Sequence, residues 1–452
     1  MNEFIEKFIG FTGLPAIIWK DKTFSYSEII KKYNLALEFL KENNINSGEV
    51  VSLTSDFTPN TIALIYALIE NKNIIVPFNY SIKETELSKF DIAKVQKRIR
   101  INVKTDEYET SSYFCDGEHK LYEEVRERNV SGLVLFTSGT SGKPKGAVHD
   151  FSKLLEKFKV PRKSLRTANF LLFDHWGGLN TMFHTLANGG VVLSLKDRNP
   201  KSVCEFIEKH KIELLPASPT FLNLLLISEA YKNNDLSSLK LITYGTEPMP
   251  QTTLKRLKKT FPALKLQQTY GLIELGVMRS KSKSDDSLWV KIGGEGFETR
   301  VNEGLLEIKA NSAMLGYLNA PSPFTEDGWF MTGDQVEVDG EYFKILGRKS
   351  EIINVGGEKV YPQEVESVIQ EVENVAEVTV YGMKNPIMGN VVCAKIRLAS
   401  SEDKKLFTKR LKTYCNEKLL PFKVPVKIKF DDAEQFNNRF KKIRSYKTFK
   451  FL

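Results

Sequence analysis

The sequence predicts an α/β protein: a large N-terminal domain of parallel-rich sheets with helices, a small β-rich subdomain, and a small α+β C-terminal domain. Three observations carry this reading. From about residue 50 to 270, short apolar runs alternate with helical stretches, the rhythm of βαβ units and buried parallel sheets. After about residue 290 the pattern changes to short strands, and after Arg348 a new module begins. At 452 residues the chain also exceeds the size at which single cores stop growing.

The elements follow in order. Ser25-x-x-Glu28 is a capping box, and it opens a helix whose apolar face is Ile29, Ile30, Tyr33, Leu37 and Leu40. Val50-Val51-Ser52-Leu53 reads as a strand, followed by a helix near 60–71 and a strand over 74–78. Further strands are expected at 168–173, 191–195, 212–215, 239–244 and 264–269. Helices are expected near 178–187, 201–210, 220–231 and 251–260. Asp339-Gly340 marks a hairpin turn. In the last module, Pro362 and Glu364 lead a helix, strands follow near 376–382 and 391–397, and a helix over 402–418 stops before Pro421. The junction falls near Gly347–Ser350, giving domains 1–347 and 348–452.

Composition excludes several classes. Apolar residues make up 41%, enough for sizeable cores, yet no apolar, uncharged window of 18 residues suggests a membrane span. Acids in the first seven residues do not fit a secretory leader. Cys115, Cys204, Cys393 and Cys415 have neither metal-ligand nor disulfide spacing, so a reducing cytoplasm is the expected setting. The net charge of +9 is uneven: residues 404–452 hold 15 Lys or Arg against 4 Asp or Glu, so that end carries +11 and the rest −2. Nucleic-acid binding is one reading of such an end. Its aromatics (Phe407, Tyr414, Phe422, Phe430, Phe436, Phe440) look mostly like core positions of a small α/β unit, which argues against it. A solvated basic face, or one that meets the phosphates of CoA or an acidic carrier protein, are the other readings.

One stretch carries chemistry on its own. Thr137, Ser138, Gly139, Thr140, Ser141, Gly142, Lys143, Pro144, Lys145 and Gly146 follow the apolar run Leu133–Phe136. Glycines allow close backbone approach with N–H groups turned inward, and the hydroxyls and lysines add donors and charge, a set suited to polyphosphate. A Walker loop needs Ser or Thr after Gly-Lys; here Pro144 follows Gly142-Lys143, so that reading fails.

These ten residues resemble the signature of the adenylate-forming superfamily, which includes acyl-CoA synthetases, peptide-synthetase adenylation domains and beetle luciferases. Gln268-Thr269-Tyr270-Gly271-Leu272-Ile273-Glu274 resembles its Tyr-Gly-x-Thr-Glu signature. Thr332-Gly333-Asp334 resembles its third, and Gly347-Arg348, running through Asn354 to Pro362, its fourth. The resemblance implies ATP-dependent activation of a carboxylic acid to an acyl-adenylate, with pyrophosphate leaving, then transfer to the thiol of CoA or of a carrier protein's phosphopantetheine. A nucleotide- or acyl-binding protein with weakened catalysis is the alternative from another class.

Residue roles are implied in the same way. The 137–146 loop would hold the β- and γ-phosphates, Glu274 would bind Mg²⁺, and Tyr270 would lie against adenine opposite Gly245-Thr246-Glu247-Pro248. Asp334 would accept from the ribose hydroxyls, with Arg348 helping hold ribose or phosphate. Phe173-Asp174-His175-Trp176-Gly177-Gly178-Leu179 resembles the Phe-His-x-Gly-Gly-Leu segment of acyl- and aryl-CoA synthetases, so His175, Trp176, Gly177 and Gly178 would border an apolar or aromatic acid. Asp174 alternatively matches the Phe-Asp pair with which peptide-synthetase domains hold an ammonium group. Lys442 would be the catalytic lysine of the C-terminal signature, on a mobile domain hinged near Ser350 that brings the Gly356-Gly357 loop to the site for thioester formation. Two positions depart from the pattern: Ile273 stands where the family has a phosphate-touching threonine, so Thr269 or main chain would substitute, and Lys441 stands where the family has glycine.

Overall fold

A computed structural model describes residues 3–83, 86–113, 115–138, 143–437, 440 and 442. Two seven-stranded sheets build the large lobe. In the first, the strands Pro15–Trp19, Val191–Ser194, Arg166–Asn169, Leu214–Ala217, Leu241–Tyr244 and Lys265–Gln268 run parallel, with Lys22–Ser25 antiparallel at one edge. In the second, Lys97–Ile101, Val50–Ser55, Ile74–Asn79 and Gly132–Ser138 are parallel, while Pro144–Asp150 returns antiparallel on the last of these. One core joins the two sheets: it contains Ile17 and Val192 from the first and Leu53, Ile75 and Leu135 from the second. The helices Tyr26–Glu42, Pro59–Glu70 and Trp176–Ala187 fill the space they share. Ser25 caps the first of these with both bonds of its capping box, as the sequence predicts.

A six-stranded antiparallel sheet follows, with Phe330–Asp339 and Tyr342–Arg348 as its central hairpin and Gly340 at φ 59° in the turn. The β-rich region begins earlier than expected, at Gly271, because its first strands are two residues long or, like Arg279–Ser282, polar and half exposed. Such strands lack the apolar alternation that marks a strand in sequence.

From Arg348 the chain passes through Lys349–Glu351, a single 3-10 turn, into a separate five-stranded sheet. The helices Pro362–Ile369 and Lys404–Lys418 pack on it, around Val360, Val365, Val378, Ile396, Phe407 and Leu411. Two expectations need correction. The strand expected at 168–173 stops at Asn169, because residues 170–175 turn so that His175 can cap the next helix. Phe440, expected in the small C-terminal core, packs instead against the large lobe's cluster around Phe170 and Phe221. Among the described residues no helix is long and apolar enough to cross a membrane.

Candidate active site

The strand Gly132–Ser138 and its return Pro144–Asp150 set Thr137 opposite Lys145 and Ser138 opposite Pro144. Gly139, Thr140, Ser141 and Gly142, expected to hold phosphate, lie outside the described residues, and Lys143, which follows them, is exposed. Asn319 pins the return strand: its Oδ1 accepts from Gly146 N–H at 3.1 Å and its Nδ2 donates to Pro144 O at 2.9 Å. The short strand Gly316–Tyr317 pairs with Ala147 and Val148, which carries the Tyr317 ring to within 5.2 Å of the Lys145 ammonium.

Tyr317 connects this hairpin to the second motif. Its hydroxyl donates to Oε1 of Glu274 at 2.6 Å, and burial holds its pKa far above the ordinary tyrosine value, so it stays a donor. Glu274 sits in the tight turn between Gly271–Leu272 and Gly276–Val277, and its carbonyl accepts from Met314 N–H at 2.7 Å. A second tyrosine repeats the arrangement. The buried Tyr270 hydroxyl donates to Oδ2 of Asp334 at 2.5 Å, while Arg348, directly across the hairpin from Asp334, holds its Nε 3.5 Å from Oδ1. Burial pushes the Asp334 carboxyl up, against the pull of Arg348 and of the Tyr270 hydrogen bond.

The segment after Leu241–Tyr244 packs directly on the first residues of the Tyr-Gly motif. A Cβ on Gly245 would stand 2.6 Å from both the carbonyl and Oγ1 of Thr269, so only glycine fits without displacing main chain. Thr246 adopts φ 71°, a conformation rare for a β-branched residue and concentrated at functional sites. Thr269 donates both its N–H (2.7 Å) and its hydroxyl (3.1 Å) to Tyr244 O. Of the two replacements expected for the hydroxyl missing at Ile273, Thr269 or main chain, Thr269 has its hydroxyl proton on Tyr244 O, and Ile273 itself packs against two apolar clusters. Glu247 also differs from expectation. Its Oε1 accepts from Thr220 N–H (2.8 Å) at the start of the helix Pro219–Ser228, where negative charge is favoured, and its Oε2 accepts from Lys442 N–H (3.3 Å).

The 173–179 segment is folded for packing. His175 is the N-cap of Trp176–Ala187, accepting from Gly177 N–H at Nδ1 (3.1 Å), which leaves the neutral ring's proton on Nε2. Trp176, expected to border substrate, is 2% exposed and edge-on to Phe151 in the main core. Gly178 answers to geometry, since a Cβ there would lie 2.2 Å from Leu172 O; at Gly177 the nearest obstacle is a movable Leu171 methyl.

In the small domain, Gly356 (φ 60°) and Gly357 (φ 93°) form the turn between Ile353–Val355 and Glu358–Val360, and Ser350 is exposed in the connecting turn. Lys442 spans the two lobes: its N–H meets Glu247 and its Nζ lies 2.9 Å from Oε2 of Glu366 on the helix Pro362–Ile369. Lys441 lies outside the described residues. Sequence reasoning missed Tyr317, Asn319 and Glu366, because a lone tyrosine, asparagine or helix glutamate carries no pattern until the fold supplies its partner.

A single carboxylate with one oxygen on a phenol suits a hard cation that is otherwise held by phosphate and water, the usual Mg²⁺ arrangement. Among the described residues no group of three or more potential ligands could hold a metal by itself. The Asp334–Arg348–Tyr270 cluster adds an acceptor, a cation and a buried aromatic ring, and Lys145 beside Tyr317 adds positive charge.

Comparisons with known proteins bear on the sequence and the fold. The chain is 26% identical to 2-succinylbenzoate–CoA ligase of Bacillus subtilis, covering 91% of this chain and 90% of that one. It is 25% identical to indoleacetate–CoA ligase of Aromatoleum aromaticum, covering 88% of each. The fold superposes with a TM-score of 0.77 on o-succinylbenzoate CoA synthetase from Bacillus subtilis in complex with its acyl-adenylate intermediate, at 21% identity and covering 98% of this chain and 97% of that one. Residues 364–441 match the AMP-binding enzyme C-terminal domain, and residues 9–297 match the AMP-binding enzyme family itself, to which the chain belongs.

Proposed function

We propose that this chain activates a carboxylic acid with ATP, releasing pyrophosphate to form an acyl-adenylate, and then passes the acyl group to the thiol of CoA. The observation that carries the reading is a convergence. Two contact clusters built from distant segments, Lys145–Tyr317–Glu274 and Tyr270–Asp334–Arg348, lie near enough for the Glu274 charge to act on both Asp334 and Arg348. The CoA ligases among the relatives support CoA as acceptor, and their names, indoleacetate and 2-succinylbenzoate, support an aryl-bearing acid.

Attack of a carboxylate on the α-phosphorus spreads charge over phosphate oxygens, so positioned donors and cations are what lowers the barrier. In this reading Thr137, Ser138 and the loop through Lys145 hold the β- and γ-phosphates. Tyr270, Gly245 and Thr246 bound the adenine, and Asp334 accepts from the ribose while Arg348 favours its charged form against burial. Mg²⁺, held by Glu274, would neutralise phosphate charge. Lys442 serves the first step, which requires its ammonium to leave Glu366. Rotation about Ser350, with the domain junction at 347–348, then exchanges Lys442 for the Gly356-Gly357 turn.

The test is product identity. Incubation with ATP, Mg²⁺, CoA and a panel of aryl, fatty and amino acids should yield AMP and an acyl-CoA of the expected mass for an aryl or apolar acid. Thioester only on a holo carrier protein would move the acceptor, and AMP without any thioester would remove the second half of the proposal.

A further inference from the structure

The residue two places before Lys442 is Phe440, and its surroundings belong to the other lobe. Its ring lies 5.4 Å from Phe170 and 5.5 Å from Phe221, both in the large lobe's core, the second contact edge-on. Phe436, from the small domain's end, stacks on the Phe440 ring at 5.1 Å and 18°. The main chain is fixed as well. Ser218 Oγ donates to Phe440 O at 2.8 Å, and Phe440 N–H donates to Asn437 O at 2.8 Å. Phe436 pairs with Lys442 across the turn. The turn holds Phe440 at φ 51°, a left-handed conformation that a bulky side chain keeps only where its surroundings impose it.

Polar contacts between the lobes, such as Asn223 Nδ2 to Ala376 O (3.2 Å) and Lys442 N–H to Glu247, can be exchanged for water. An aromatic ring packed against a pair of others has no such substitute, and aromatic contact beyond area burial adds directionality. Two residues span at most about 7 Å of chain. Fixing Phe440 in the large lobe therefore fixes where the Lys442 main chain stands relative to the nucleotide site.

We infer that Phe440 is the positioning residue of the adenylation step: an aromatic plug, seated against the paired rings of Phe170 and Phe221, that docks the small domain and so places the Lys442 main chain. The inference rests on the proposed acid-activating function for its catalytic readout, but the docking itself can be read without any substrate. Phe440 touches no reacting atom and acts through Lys442.

The experiment compares wild type, Phe440→Ala and Phe440→Leu on two readouts. In pyrophosphate exchange, Phe440→Ala should lower kcat roughly 10–100-fold, the scale of a misplaced catalytic group, with KM for ATP little changed. Transfer from pre-made acyl-adenylate to CoA should stay at the wild-type rate, and Phe440→Leu, which refills the aromatic seat, should recover most of the exchange. Limited trypsin cleavage at Lys349, in the exposed connector, should be faster in Phe440→Ala and near wild type in Phe440→Leu. If wild type exchanges nothing with any acid, the functional reading fails while the cleavage comparison still decides the docking. Cleavage at Lys349 that is equal in all three proteins overturns the inference. So does an equal loss in both half-reactions accompanied by a lowered melting temperature, which marks Phe440 as merely structural. Should Phe440→Ala not fold, Phe170→Ala, which removes one wall of the same seat, must reproduce the faster cleavage.

Discussion

The ammonium of Lys442 lies 2.9 Å from Oε2 of Glu366, a carboxylate 1% exposed whose Oε1 accepts the Val380 N–H at 2.9 Å. The lysine expected to act on phosphate is thus held by the helix Pro362–Ile369 in this conformation, while its own N–H reaches Glu247 across the lobe boundary. Pairing of this kind keeps a nearly buried cation tolerable, and removing either partner alone leaves the other charge uncompensated.

Glu366→Gln keeps an oxygen for Val380 and deletes only the charge. In a double-mutant cycle with Lys442→Met, urea unfolding should give a coupling of about 1–3 kcal/mol. Additivity within about 0.5 kcal/mol would mean the pair is not formed in solution.

Lys442→Ala should slow pyrophosphate exchange by about 10²–10³, the cost of removing one donor aimed at developing charge. Transfer from pre-made adenylate should be unaffected. Gly357→Trp should do the reverse, because nothing lies within 4 Å of a Cβ there and the added bulk projects into the thiol's path. Equal damage to both steps by both substitutions would contradict domain alternation, and an adenylation defect from Lys441→Ala instead would move the catalytic lysine by one place.

Gly178→Ala should lower stability by about 1–3 kcal/mol, because its methyl meets the fixed Leu172 carbonyl rather than a movable side chain. Gly177→Ala should cost clearly less, since Leu171 can turn away. Thermal melts of the two proteins decide it, and equal melting temperatures would count against the packing account of this segment.

Lys157 carries a pH signature. Burial lowers its pKa to about 7, while its Nζ donates to Asn180 Oδ1 and Val277 O, each at 2.7 Å. An unfolded lysine stays protonated to about 10.4, so between pH 7 and that value the unfolded state binds more protons and stability rises with pH. The difference in melting temperature between wild type and Lys157→Met should therefore shift in favour of wild type as pH rises from 6 to 9. A difference that stays flat over this range would show that the amine is not desolvated.

Legibility followed periodicity and local chemistry. The Ser25–Glu28 cap, the Asp339-Gly340 turn and the alternation through residue 270 were readable because each is decided by neighbours in sequence. The strand end at Asn169 was not, because it depends on His175 capping a helix that starts two residues earlier than apolar spacing suggests. Asp334 and Tyr270 could be singled out through a resemblance, but their hydrogen bond spans 64 residues and belongs to the fold alone. Trp176 and Phe440 show the same limit from the other side: aromatic character says that a ring will be buried, never against which lobe.

The central claim is that this chain makes acyl-adenylates, and the most direct test is acid-dependent exchange of labelled pyrophosphate into ATP. The account predicts Mg²⁺-dependent exchange with at least one apolar or aryl acid, largely preserved in Asp174→Ala and lost in Asp334→Ala. Exchange that is best with a simple amino acid and collapses in Asp174→Ala would contradict the substrate assignment. Folded protein that binds ATP yet exchanges nothing across fatty, aryl and amino acids would contradict the account itself and leave a nucleotide-binding protein in its place.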